Sequence, residues 1–142
     1  MILLDTNVLS ELMRPQPADA VVTWLDSQPM EQVWISAITQ AEILLGLALM
    51  PAGKRQQALS KAAMAMFEKD FGGRCLPFDA RCTPAYAAIV SRRIQKGRPV
   101  STEDAQIAAI ALTYDLHLAT RNTKDFEEID GLQLLNPWKA ER

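Results

Sequence analysis

The chain has 142 residues, 49% of them apolar and 23% charged, with a formal net charge of −2. That length suits one domain burying roughly 68–70% of its unfolded surface, and the composition is too apolar for a disordered chain. A slight negative excess excludes a protein that holds a polyanion by overall charge, so any nucleic-acid contact must come from a local patch or from bound cations.

The chain opens on Met1 to Leu9, which reads as a buried strand ending in an acid. Ile2, Leu3 and Leu4 are apolar without alternation, as expected of a central parallel strand covered on both faces. Asp5, Thr6 and Asn7 are all N-cap types, and Val8, Leu9 and Leu12 follow at helical spacing, so a helix starts at this corner. Arg14-Pro15-Gln16-Pro17 breaks it, and a helix resumes from Ala18 to Ser27 with Val21, Val22, Trp24 and Leu25 as its buried set. Val33 to Ser36 has strand composition and leads into a helix over Ile38 to Leu49 whose one charge is Glu42. After Pro51-Ala52-Gly53 a helix spans Lys54 to Phe71, with Leu59, Ala62, Ala63, Met66 and Phe67 as its apolar stripe, ended by Gly72-Gly73. Cys75 to Phe78 reads as an edge strand because of Pro77. Helices follow over Pro84 to Lys96 and from Ser101 to about Asp115, then a strand at His117 to Thr120, a polar turn over Arg121 to Phe126, and a last strand at Leu132 to Leu135. Strands alternating with helices imply right-handed crossovers and a mostly parallel sheet, an α/β fold.

No apolar run is long enough to span a bilayer and no basic, signal-like segment opens the chain, so the cytoplasm is the expected location. Cys75 and Cys82 lack zinc spacing and are too few for a disulfide framework, so both are expected as reduced thiols. His117, the one histidine, is read as structural, and Met64 and Met66 as packing filler.

Acids recur at the carboxyl ends of the predicted strands. Asp5 is either a helix cap or a functional acid at the sheet's ligand-binding edge. Glu42 sits alone among Ile38, Leu45, Gly46 and Leu49, where a carboxylate needs a partner; alternatively Thr39-Gln40-Ala41-Glu42 is a capping box. Asp104 lies in the first turn after Ser101, where the helix dipole favours an acid, yet it is in line with Ile107, Ala108 and Ala111 and so heads the apolar face. Thr120-Arg121-Asn122-Thr123-Lys124-Asp125 follows the fourth strand. In a parallel sheet these four corners share one edge, and carboxylates gathered there repel one another unless cations neutralise them. Hard oxygen donors without His or Cys suit Mg²⁺ or Mn²⁺.

At these residues the chain resembles a known family. Asp5-Thr6-Asn7 after an apolar strand, the run Ile38 to Gly46 around Glu42, Asp104-Ala105-Gln106-Ile107-Ala108-Ala109, Thr120-Arg121-Asn122 and the ending Asn136-Pro137-Trp138 are together similar to PIN-domain ribonucleases, specifically VapC toxins of the FitB-like group. The resemblance implies a three-layer α/β/α sandwich and metal-dependent RNA endonuclease activity. It also implies that Asp5, Glu42 and Asp104 hold Mg²⁺ or Mn²⁺. Some relatives carry Asp where this chain has Asn122, so the fourth ligand is either Asn122 through its carbonyl or Asp125. Thr6, Asn7 and Thr120 would orient carboxylates or water, or merely cap helices. A homodimer and an inhibitory antitoxin protein are implied as well. Leu9, Leu12, Met13, Val21 and Trp24 are a candidate landing groove for the antitoxin, or plain core.

Arg92, Arg93, Lys96 and Arg98 lead into the Asp104 corner and Arg121 and Lys124 flank the last one, as grips for RNA phosphates or as a solvated face. Two rivals stand beside the nuclease: a haloacid-dehalogenase-like phosphotransferase with Asp5 as nucleophile, which leaves Glu42 without a role, and a non-catalytic interaction domain whose acids only cap helices.

Overall fold

The computed structural model describes residues 1–139. Five strands, β1 (Ile2–Leu4), β2 (Val33–Ser36), β3 (Cys75–Leu76), β4 (His117–Ala119) and β5 (Leu134–Leu135), form one sheet in the order β3-β2-β1-β4-β5, and every pairing is parallel. The unalternating apolar run at the N-terminus has its reason here. β1 is the middle strand, and its consecutive residues Leu3 and Leu4, both fully buried, enter two different core clusters. β4 does the same with Leu118 and Ala119. Side chains alternate across a strand, so a strand covered on both faces must be apolar at every position.

One cluster lies under α5 (Thr83–Gln95) and α6 (Thr102–Thr113); the other lies under α1 (Thr6–Leu12), α2 (Asp19–Asp26), α3 (Ala37–Leu49) and α4 (Lys54–Ala65). A short α7 (Thr123–Phe126) follows β4, anchored by the fully buried Phe126. The result is the expected three-layer α/β/α arrangement. None of the described helices is long and apolar enough to cross a membrane.

The chain runs from β1 outward through β2 to β3, then returns over the sheet to place β4 on the other side of β1. Loops leaving β1 and β4 therefore diverge to opposite sides of the sheet and leave a crevice between them at the strands' carboxyl ends. Asp5 and Thr120 are the residues directly after those two strands.

Local structure departs from the sequence reading in three places. Ser36, not Thr39, caps α3: the Ser36 hydroxyl accepts the Thr39 amide at 3.1 Å, so the helix starts at Ala37, one residue before the expected Ile38, and of the two readings of Glu42 the capping box is the one that fails. The helix expected to reach Phe71 stops at Ala65 and continues as a π-helical turn, Met66–Asp70, with the Phe71 amide on the Met66 carbonyl at 3.0 Å. Ala63, Phe67 and Phe71 are all buried. At four-residue spacing they would drift by about 40° per step around an α-helix, and the wider turn offsets that drift. The last two strands are shorter than expected, with pairings limited to Ile2–His117, Leu3–Leu118 and Leu4–Ala119 on one side and Leu118–Leu134 and Ala119–Leu135 on the other. Cys75 and Cys82 are free thiols, as expected.

Candidate active site

Asp5 is both the cap and the centre of a polar cluster. Its Oδ1 accepts the Thr6 amide at 2.8 Å; its Oδ2 accepts the Thr120 hydroxyl at 2.7 Å and the Asn7 side-chain amide at 3.2 Å. The Thr120 hydroxyl in turn accepts the Asn122 backbone amide at 3.0 Å, and the Asn7 side-chain Oδ1 accepts the Arg121 backbone amide at 3.2 Å. These bonds tie the corner after β1 to the corner after β4. Burial pushes Asp5 above the ordinary carboxylate range and the charge of Glu42 adds to that, while its hydrogen bonds act in the opposite sense.

Glu42 reaches the same place from α3. Its Oε1 accepts the Thr6 hydroxyl at 2.6 Å, and that hydroxyl also lies 3.0 Å from the hydroxyl of fully buried Thr39. Asp104 enters from the first turn of α6, which Ser101 caps by accepting the Asp104 amide at 3.1 Å. Its carboxyl is pushed up to about 6, by burial first and then by the negative charge of Asp5, with smaller contributions from Asp125 and Glu42. Acids far apart in the chain, Asp5 and Asp104 among them, thus feel one another's charge.

Asp5, Glu42, Asp104 and Asn122 line one open cavity of about 530 Å³ together with Thr6 and Asn7. Asp125 lines the adjoining cavity, although its charge reaches Asp104. Among the described residues no three acidic, histidine or cysteine side chains already close on one point as ligands would. The donors still fit a hard divalent cation: they are oxygens only, and the charge of Asp5 helps to raise the proton affinity of Asp104.

Several residues at this cavity escaped the sequence reading. Glu11, Arg14 and Trp138 line it too. Glu11 is spoken for: it accepts the Ala18 amide at 2.8 Å and pairs with Arg14 at 3.3 Å, which hold its carboxyl below the ordinary range. Its position six residues after Asp5, just before the proline break, is the signal that could have marked it. The expected groove does not exist as described, since Leu9, Val21 and Trp24 belong to the core. A groove of about 420 Å³ lies instead between α1, α3 and α4, where Met13, Gly46 and Leu59 line it, and it meets the acid cavity at Thr6, Arg14 and Glu42.

The basic run before α6 divides. Arg93 is 6% exposed; its Nε donates to the Arg98 carbonyl at 2.7 Å and its Nη1 to the Asp125 carbonyl at 2.8 Å, so it clamps α7 and cannot also grip RNA. Arg92 pairs with Asp130 at 3.2 Å, and Lys96 and Arg98 pair with Glu128, which supports the solvated-face reading for all three. Arg121 alone of the four proposed arginines lines the acid cavity. Replacing Arg93 with Ala leaves two carbonyls without their charged donor and should destabilise the fold by about 3 kcal/mol in urea denaturation, with the salt slope of RNA binding unchanged. A loss under about 1 kcal/mol together with a shallower slope would return Arg93 to the RNA-contacting set.

Comparison with known proteins identifies the family and agrees with the fold. The PIN domain family matches residues 2–132. The chain is 41% identical to the VapC ribonuclease Y4jK of Sinorhizobium fredii, covering 98% of this chain and 99% of that one. It is 45% identical to toxin FitB of Neisseria gonorrhoeae, over 97% and 99% of the two chains. The crystal structure of FitAcB from Neisseria gonorrhoeae superposes with a TM-score of 0.91 at 44% identity, over 99% of this chain and 100% of that one. With the family model, the sequence and the fold in agreement along nearly its whole length, the chain belongs to the PIN domain family.

Proposed function

We propose that this chain is a divalent-metal-dependent endoribonuclease that acts in the cytoplasm as the toxin of a type II toxin–antitoxin pair. The observation that carries the reading is the arrival of Asp5, Glu42 and Asp104 from three separate elements in one open cavity, with Asp104 pushed up to about 6 by burial and then by the charge of Asp5. Family membership removes the haloacid dehalogenase alternative, in which Glu42 had no role. The purely capping alternative is weaker for Glu42, whose carboxylate caps nothing and meets the Thr6 hydroxyl.

In this reading Asp5, Glu42 and Asp104 hold Mg²⁺ or Mn²⁺, and Asn122, which lines the same cavity, is the fourth ligand in preference to Asp125. When bound, the ion draws a phosphodiester towards an acidic site, stabilises charge that develops on its oxygens and lowers the pKa of water. The protein's own contribution is orientation. Thr120, Asn7 and the Thr6 amide fix both oxygens of Asp5, and the Thr6 hydroxyl fixes Glu42, so the carboxylates present set directions to an incoming ligand.

An antitoxin segment lying in the groove between α1, α3 and α4 would reach the acid cavity at Arg14 and Glu42 and close it. A homodimer has apolar surface available on α3, where Leu45 and Leu49 are 59% and 76% exposed. The test of the nuclease reading is cleavage of single-stranded RNA by the purified protein. Cleavage is expected with Mn²⁺, lost in excess EDTA and restored by further Mn²⁺; cleavage undiminished in EDTA, or none under either condition, contradicts it.

A further inference from the structure

A second cavity, of about 520 Å³, adjoins the acid pocket and shares Arg121, Asn122 and Trp138 with it. Its charge is reversed. Arg121, Lys124 and Lys139 face one acid, Asp125, whereas in the neighbouring pocket Asp5, Glu11, Glu42 and Asp104 outnumber Arg14 and Arg121. The Arg121 guanidinium lies over the Trp138 ring, 4.9 Å from its centre. Both partners are anchored: the Arg121 amide donates to Asn7, the Trp138 amide donates to the Asn136 side chain at 3.0 Å, and the indole packs against the cluster under α1–α4.

We propose that this second cavity is a nucleotide subsite, in which a base next to the cut bond stacks on the Arg121–Trp138 pair while its phosphate meets Lys124 and Lys139. The inference rests on the nuclease reading and extends it to the substrate: single-stranded RNA. A strand carries one negative charge per nucleotide. The phosphate in the acid pocket is compensated by the divalent ion, but the phosphate beside it must meet cations supplied by the protein. The cavity that shares a wall with the pocket supplies them. Unpaired bases stack on aromatic rings and on guanidinium planes, and the amides of Asn122 and Asn136 add donors and acceptors for a base edge. A base held in a duplex is stacked on its neighbours and cannot enter, so the site selects single strands. The ion-paired Arg92, Lys96 and Arg98 have no part in it.

The test is binding of a fluorescein-labelled RNA hexamer, followed by anisotropy in an Asp104→Asn background so that no cleavage intervenes. Trp138→Ala and Arg121→Ala should each weaken binding about tenfold or more, and Trp138→Phe, which keeps an aromatic face and the packing, should restore most of it. The Lys124→Gln/Lys139→Gln pair should make the salt slope shallower by about 1.4, two phosphate contacts being lost from a single strand. A duplex of the same sequence should bind more weakly. Affinities within twofold of the parent for Trp138→Ala and for the lysine pair, or a duplex bound as tightly as the single strand, overturn the subsite. The two readings fail separately: metal-dependent cleavage that Trp138→Ala leaves unchanged along with binding removes the subsite and keeps the nuclease. A parent chain that cleaves nothing in Mn²⁺ removes the nuclease whatever the hexamer does.

Discussion

Replacing Asp104 with Asn should lower RNA cleavage by at least about a hundredfold and, at the same time, raise the melting temperature of the metal-free protein. The two effects have one cause. Asp104 is pushed up to about 6 by burial and by Asp5, so at neutral pH its ionised form is held in an unfavourable field that the unfolded chain lacks. A carboxyl raised on folding contributes stability that is fully present below its unfolded pKa and is lost as pH rises through the folded value. Metal-free wild type should therefore lose stability relative to Asp104→Asn between about pH 4 and pH 6 and keep that deficit above pH 7. Because the side chain is only half-buried, solvent screening limits the gain to about 1–2 kcal/mol, or roughly 3–6 °C. The isosteric amide keeps the helix backbone, since the cap comes from Ser101 and not from the side chain being changed. Full cleavage by Asp104→Asn would end the ligand assignment. A melting temperature that falls instead, measured in EDTA at pH 7.5, would mean that Asp104 stabilises the apo fold and is not crowded.

Mn²⁺ should reverse the order of stability. Wild-type protein at 100 times its dissociation constant for the ion gains about 2.7 kcal/mol, which corresponds to a rise of roughly 8 °C at this chain length. At pH 5 the rise should shrink, because Asp104 then carries a proton and must release it before it can serve as a ligand. Asp5→Asn and Asp104→Asn should show little response at either pH. Thermal melts with and without Mn²⁺ at pH 5 and pH 7.5 decide the matter. A shift of equal size at both pH values, retained in both variants, would place the ion elsewhere on the chain.

Each candidate acid illustrates how far a linear reading reaches. The sequence places Asp5 at a strand-to-helix corner, where cap and ligand are both open to it, and the fold makes it a cap whose second oxygen is held by Thr120 from the far side of the crevice. Glu42 was recognisable as a charge out of place, while its partner, the Thr6 hydroxyl, lies 36 positions away. The arginines divide in a way that sequence does not show. Arg92, Arg93 and Arg98 look alike as letters, yet one is buried against two carbonyls and the others are paired with Glu128 and Asp130 from the segment after α7. In the sequence Trp138 is only part of the chain's Asn136-Pro137-Trp138 ending, and its place between two cavities depends on β5 delivering it there.

What the sequence determined by itself is the set of elements and the layer each belongs to, because helical and strand periodicity, caps and the unalternating runs of β1 and β4 are local consequences of covering a sheet on both faces. What only the tertiary structure decided is which charges meet. A charged side chain's partner is set by distance through space, and strand order, with β4 folded back beside β1, brought Asp5, Glu42 and Asp104 within range of one another while turning most of the basic run away.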